Sequence, residues 1–207
     1  MTIIKICGLM EREHIETAVT AGVNWIGFVF APSKRQVTIE QAKTLAEAIP
    51  SHIKKVGVFV NAEPAFIQQA AAEVGLDFIQ YHGDETNEDI QAIGLPSIKA
   101  FAIRSADDLA DAAKYEVDYC LFDAPGTDYR GGSGHTFDWS HLQTWQGAPF
   151  LLAGGLNINN VATAITTVQP FGIDVSSGVE RDGRKDHQLI EQFIKRARGA
   201  NSHAYNN

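Results

Sequence analysis

Short apolar runs alternate with helix-period stretches along the whole of this chain, and that alternation restricts the possible folds more than any other feature. It predicts eight strands: Ile3–Cys7, Trp25–Phe30, Val56–Val60, Phe78–Tyr81, Ile98–Ala102, Tyr119–Phe122, Phe150–Ala153 and Gly172–Val175. Between them, apolar residues recur at i, i+3, i+4 and i+7, the signature of amphipathic helices. The faces are Ile15, Ala18, Val19; Ala42, Leu45, Ala46, Ile49; Phe66, Ile67, Ala70, Val74; Ile158, Val161, Ala162, Ile165; and Leu189, Ile190, Phe193, Ile194, Ala197. Helix starts are marked by a capping box at Thr38–Gln41, by N-cap residues at Thr86, Ser105 and Asn157, and by Pro64 in a first turn.

Strict strand–helix alternation implies a parallel sheet joined by right-handed crossovers. Eight repeats on 207 residues close most economically as a single-domain (β/α)8 TIM barrel with a parallel eight-stranded sheet. Such barrels usually take ~250 residues, so the connections should be lean. An open doubly wound sheet is the alternative, but the first turn, Cys7-Gly-Leu-Met-Glu11, lacks the dinucleotide glycine pattern. No linker or shift in composition divides the chain. The barrel is therefore assigned to residues 1–199, with 200–207 as a polar, frayed tail.

Two late segments carry the first functional signal. Phe150-Leu-Leu-Ala-Gly-Gly-Leu-Asn157 and Phe171-Gly-Ile-Asp-Val-Ser-Ser-Gly-Val-Glu180 each run from a buried strand into glycine or serine and then a helix start. Glycines let backbone approach a ligand closely, and N–H groups at a helix N-terminus favour an anion. Two such turns after strands 7 and 8 are a phosphate-binding arrangement in barrels, which points to Gly154, Gly155, Ser177 and Gly178. The plainer alternative is that these glycines only turn the chain.

A net charge of −8 argues against a broad nucleic-acid surface, while leaving room for a small anion held by a local cluster. No apolar run approaches a membrane span, and the N-terminal residues lack a signal pattern. Cys7 and Cys120 make no disulfide framework, so a reducing cytoplasm is expected.

Active sites of such barrels form at the C-terminal ends of the strands. Cys7, His82, Asp123 and Asp174 fall there, and the loop after strand 2 brings Lys34 and Arg35 to the same face. On strand 1, period-2 alternation puts Ile3, Lys5 and Cys7 on one side and Ile4 and Ile6 on the other, so Lys5 and Cys7 should face the lumen. A buried ammonium beside a thiol would favour thiolate; alternatively Cys7 is a small core residue, as Cys120 is taken to be. Asp123 either does chemistry or caps a turn. Asp174 either positions a substrate hydroxyl or pairs with Lys5, and His82 is read first as a hydrogen-bonded histidine. No ligand spacing supports a metal. The glycine-rich stretch Gly131–Gly134, within the long connection 124–136, is a candidate lid.

Longer motifs then carry a resemblance. Lys5-Ile-Cys-Gly-Leu9, Gly27-Phe-Val-Phe30 with Ser33-Lys-Arg35, Val56-Gly-Val-Phe-Val-Asn61, Gln80-Tyr-His-Gly83, Gly131-Gly-Ser-Gly-His-Thr-Phe-Asp-Trp139, Leu152-Ala-Gly-Gly-Leu156 and Asp174-Val-Ser-Ser-Gly-Val-Glu180 together resemble the phosphoribosylanthranilate isomerase family. Tyr81 in place of a leucine and Met10 in place of a threonine are the departures. The resemblance implies a cofactor-free isomerase of tryptophan biosynthesis that performs an Amadori rearrangement on a small phosphosugar. It implies Cys7 as general base, Asp123 as general acid, Arg35 on the anthranilate carboxylate, and the turns at Gly154, Gly155, Ser177 and Gly178 on the phosphate. His82 and Asp174 join Arg35 as expected substrate-binding residues. A histidine-pathway sugar-phosphate isomerase and a catalytically silent phosphosugar-binding barrel are the alternatives; monomer and homodimer stay open.

Overall fold

A computed structural model describes residues 1–123 and 139–203 of the chain. Eight parallel strands close a barrel in sequential order, β1 to β8, with β1 paired to both β2 and β8. They are β1 (Ile3–Cys7), β2 (Trp25–Val29), β3 (Lys54–Phe59), β4 (Phe78–Tyr81), β5 (Ser97–Ala102), β6 (Tyr119–Asp123), β7 (Phe150–Leu152) and β8 (Gly172–Val175). Helices α1 (Arg12–Ala21), α2 (Ile39–Ala46), α3 (Pro64–Val74), α4 (Asn87–Ile93), α5 (Ala106–Ala112), α6 (Val161–Val168) and α7 (His187–His203) form the outer layer. A short antiparallel hairpin, β9 (Glu180–Arg181) and β10 (Arg184–Lys185), stands between β8 and α7. No helix among the described residues is long and apolar enough to cross a membrane.

The expected capping box exists at Thr38 with Gln41, and the expected N-caps Thr86 and Ser105 also form boxes, with Asp89 and Asp108. Each satisfies N–H groups that a helix start leaves open, typically worth about 1 kcal/mol. Two expectations fail near the phosphate turns. The N-cap of α6 is Asn160, not Asn157; Asn157 instead accepts from the Asn159 N–H at 2.8 Å, making a tight turn, while Asn160 accepts from the Asn157 N–H. After β8 the chain enters a single 3-10 turn at Ser177–Val179 and the β9–β10 hairpin before α7 begins. Between β6 and β7 the described residues hold a 3-10 helix, Trp139–Thr144. Helix α7 runs past the expected domain edge at 199 to His203, and the expected lid at Gly131–Gly134 lies outside the described residues.

Alternation sorts the strand residues into two cores. Ile4, Ile6, Ile26, Phe28, Ile79, Cys120, Phe122, Leu152, Ile173 and Val175 point outward into the helix layer. Each fully buried aliphatic or aromatic side chain of this kind contributes about 1.5–3 kcal/mol. Trp25, Val56, Ile98, Ala100, Leu121, Leu151 and Ala153 fill the lumen. The N-terminal end of the lumen is stoppered by aromatic rings: Trp25 stacks on Phe78 at 4.7 Å and meets Tyr119 edge-on at 5.3 Å, while Tyr119 contacts Phe171 at 4.9 Å. Apolar filling below leaves the C-terminal end for polar groups.

Candidate active site

Strand β1 delivers Lys5 and Cys7 to the lumen, as its alternation predicts. In register, Lys5 lies between Trp25 of β2 and Asp174 of β8, and Cys7 lies opposite Gly27. The Lys5 ammonium is fully buried and donates to Asp174 Oδ1 at 2.9 Å. Of the two readings of Asp174, pairing with Lys5 is the one its geometry shows. Gly27 keeps this corner open: a Cβ there would come within 3.0 Å of Cys7 Sγ and 3.2 Å of Lys5 Nζ.

The charge balance corrects one expectation. Burial is the dominant influence on Cys7 and pushes its thiol above the ordinary value; Lys5 and Lys185 pull it down but do not win, and Asp174 adds to the rise. Burial also works against the Lys5 ammonium, yet Asp174 and Cys7 hold its pKa above the usual lysine value. At rest the corner therefore holds an ammonium, a carboxylate and a thiol. Thiolate is not the resting form, because burial outweighs the pull of the neighbouring lysines, with Asp174 adding to the rise.

A second cluster flanks the first. Glu180 receives Arg35 through both oxygens, Nε to Oε1 at 2.6 Å and Nη2 to Oε2 at 3.0 Å. Lys185 donates to the same carboxylate at 3.0 Å and to the Ser176 carbonyl at 2.8 Å, and Ser176 Oγ donates to the Cys7 carbonyl at 3.1 Å. Burial opposes ionisation of Glu180, but the Arg35 and Lys185 contacts prevail and bring its pKa down to about 2. The arginine stem passes over Gly8, where a Cβ would sit 2.6 Å from Arg35 Cδ. The fork of Arg35 is thus aimed by a carboxylate of the protein itself. The roles of Glu180, Lys185 and Gly27 escaped sequence reasoning. Glu180 and Lys185 lie on a two-residue-per-strand hairpin too short to show periodicity, and the use of Gly27 depends on its β1 neighbour.

On the other side of the rim, β4 and β6 bring His82 and Asp123 together. Gln80 Nε2 lies 3.1 Å from His82 Nδ1, and His82 Nε2 faces Asp123 Oδ2 at 3.9 Å. Burial holds the His82 imidazole below its ordinary pKa, with Asp174 as the leading opposing influence. A neutral ring that accepts from Gln80 carries its proton on Nε2, toward Asp123. Asp123 ends β6 in register with Ala102, so it belongs to the strand and points to the lumen side. Both side chains remain partly exposed, at 39% and 35%.

The phosphate-type turns lie side by side after β7 and β8. Gly154 and Gly155 have φ of +82° and +65°, a region that L side chains rarely enter. A Cβ on Gly155 would meet nothing within 4 Å, and both Gly155 and Ser177 are exposed. A Cβ on Gly178 would collide with the Leu156 carbonyl. Its missing side chain lets the β8 turn press against the β7 turn.

Comparison with known proteins identifies the family and the fold. The family described as N-(5'phosphoribosyl)anthranilate (PRA) isomerase matches residues 4–196. The N-(5'-phosphoribosyl)anthranilate isomerase of Bacillus mycoides (strain KBAB4) is 48% identical over 198 residues, covering 94% of this chain and 97% of its own. Among solved structures, phosphoribosyl anthranilate isomerase from Thermotoga maritima superposes with a TM-score of 0.87 at 40% identity, over 96% of this chain and all of its own. A phosphoribosyl anthranilate isomerase in complex with reduced 1-(o-carboxyphenylamino)-1-deoxyribulose 5-phosphate superposes with a TM-score of 0.83 at 36% identity, over 96% of this chain and 100% of that one.

Proposed function

The chain belongs to the N-(5'-phosphoribosyl)anthranilate isomerase family, and from that premise we propose how its own residues divide the work. The enzyme converts N-(5-phosphoribosyl)anthranilate to 1-(2-carboxyphenylamino)-1-deoxyribulose 5-phosphate, an Amadori rearrangement of tryptophan biosynthesis. Substrate phosphate binds at the exposed Gly154–Gly155 and Ser177–Gly178 turns, and the anthranilate carboxylate at Arg35. The sugar then spans the rim between β1 and β6.

Asp123 donates a proton to the furanose ring oxygen as the C1–O bond breaks, and the nitrogen lone pair completes an iminium. Cys7 next removes the proton from C2; the C–H electrons form the C1–C2 double bond of an enolamine, and the iminium is discharged. Tautomerisation to the ketone finishes the reaction. The raised thiol pKa fits this order. A resting thiol becomes a competent base once the iminium adds a positive charge beside it, because a nearby opposite charge favours thiolate. His82 stands 3.9 Å from Asp123 on the substrate side of the rim, and Asp174 fixes Lys5.

The observation that carries this assignment is Cys7 in the lumen beside the ammonium of Lys5 and the space kept by Gly27. Its test is loss of anthranilate fluorescence with freshly made substrate. Cys7→Ser and Asp123→Asn are each expected to fold normally and to lose at least ~10²-fold in kcat, the usual scale for general acid–base catalysis. A serine variant at wild-type rate overturns the base assignment. An asparagine variant with raised KM and intact kcat makes Asp123 a binding residue. A wild-type chain without turnover would make it a silent phosphosugar-binding barrel.

A further inference from the structure

Away from the rim, on the outer layer, the first and last helices bring three metal-ligating side chains together. Glu13 and His14 lie in the first turns of α1, and His187 opens α7. Each can offer one donor atom such that all three lie within 4.8 Å of one another, with His14 buried and Glu13 and His187 exposed. The two imidazole rings are 4.5 Å apart, tilted by 44°.

The surrounding hydrogen bonds leave Nε2 of His187 to a ligand. Thr17 Oγ1 donates its single proton to the Glu13 carbonyl at 2.9 Å. Its 2.7 Å contact with His187 Nδ1 must then be accepted from the ring N–H, which leaves the lone pair on Nε2. His14 Nδ1 faces Glu11 Oε2 at 3.8 Å, which sets a carboxylate charge behind the ring. Carboxylate and hydroxyl groups behind Nδ1 are the outer-shell partners that metal-binding histidines use. The neighbouring cation does not repel an ion outright, because Arg184 is held by both oxygens of Glu11 at 2.9 and 2.7 Å.

We propose that Glu13, His14 and His187 form a binding site for a divalent transition ion of the zinc type. Two imidazole nitrogens and one carboxylate suit zinc with water in the fourth position, at bond lengths of ~2.0–2.2 Å. Tetrahedral geometry then needs donors about 3.3–3.6 Å apart, a contraction that rotation of the exposed Glu13 and His187 side chains supplies. The ion ties α1 to α7 across the seam where β1 meets β8. It takes no part in the isomerisation.

The test uses the tag-free chain stripped with EDTA. One equivalent of zinc is expected to bind, raising Tm by about 5–10 °C at a hundredfold excess over Kd, and cobalt should give the absorption of a four-coordinate N/O site. Glu13→Gln and His187→Ala should keep the wild-type Tm in EDTA and wild-type turnover, while losing the zinc-dependent rise. The proposal is overturned if zinc leaves the wild-type Tm unchanged. It is equally overturned if either variant binds zinc as tightly as wild type, or if the cobalt spectrum shows a sulfur-to-metal charge-transfer band, which places the ion on a cysteine.

Discussion

Two of the buried lysines meet their carboxylates on opposite sides of the sheet. Lys5 and Asp174 meet at 2.9 Å in the lumen, while Lys99 and Glu85 meet at 3.0 Å in the helix layer. The outer pair is closed off by backbone. Glu85 also accepts from the Asn61 N–H at 2.7 Å and the Gly83 N–H at 2.9 Å, and Lys99 donates to the Gly83 carbonyl beside the rings of Phe101 and Tyr115. Burial opposes ionisation of Glu85, but these donors win and hold its pKa below the ordinary value. That pair staples the turns after β3 and β4. The inner pair instead stands next to a thiol, and its charge acts on that thiol. The same two residue types serve architecture where backbone saturates them and chemistry where a reactive neighbour shares their field.

The comparison breaks first on stability. Lys99→Met strands the Glu85 carboxylate, and removing one partner of a buried pair costs about 3–5 kcal/mol. For a chain of this size that lowers Tm by roughly 6–20 °C, while kcat of the folded fraction should stay at the wild-type level. A normal Tm with a depressed kcat would invert the roles of the two pairs. Acid titration gives the next effect. Glu180 is held near about 2, against about 4.3 when unfolded, so its contribution is full above about pH 4.3 and is lost as pH falls toward 2. That contribution is about 3 kcal/mol. Urea unfolding of Glu180→Gln should therefore show a shallower loss of stability across that window; an unchanged slope would mean that Arg35 and Lys185 do not hold Glu180 in solution.

The mildest change falls on the thiol itself. Asp174 contributes to the rise in the Cys7 pKa, so Asp174→Asn leaves the Lys5 charge to act on the thiol alone and lowers that pKa. Each unit of fall raises the thiolate fraction up to about tenfold, and alkylation by iodoacetamide at pH 7 should speed up accordingly. Glu85→Gln should alkylate at the wild-type rate. Equal rates in all three proteins would show that the inner pair has no hold on the thiol.

The barrel was readable because two periods, 2 and 3.6, alternate without interruption; alternation on strand 1 placed Lys5 and Cys7 on the lumen side, and the strand ends placed Asp123 and Asp174 at the rim. Three things were hidden for physical reasons. A cap is chosen by turn geometry rather than residue type, so Asn160 took the place that Asn157 had equal chemical claim to. The state of Cys7 depends on how far burial outweighs a neighbouring charge, and a sequence carries no depth. Glu180 and Lys185 gain meaning from Arg35 and Ser176, partners that only the closed ring brings near; the close approach of Gly178 to the Leu156 carbonyl is likewise visible only once the two turns stand side by side.

The pairing of β1 with β8 sets a condition on how this enzyme comes to be active. Lys5 and Asp174 are 169 positions apart, as are Cys7 and Ser176, so nearly the whole chain lies inside the loop that these bonds close. Closing a longer loop adds entropy cost only logarithmically, but contacts of such span slow folding. Whichever strands find one another first, a chain with seven strands aligned and the eighth undocked would carry most of its native secondary structure while leaving Lys5 in water. Recovery of turnover during refolding should therefore time the closing of the ring rather than the growth of helix or sheet.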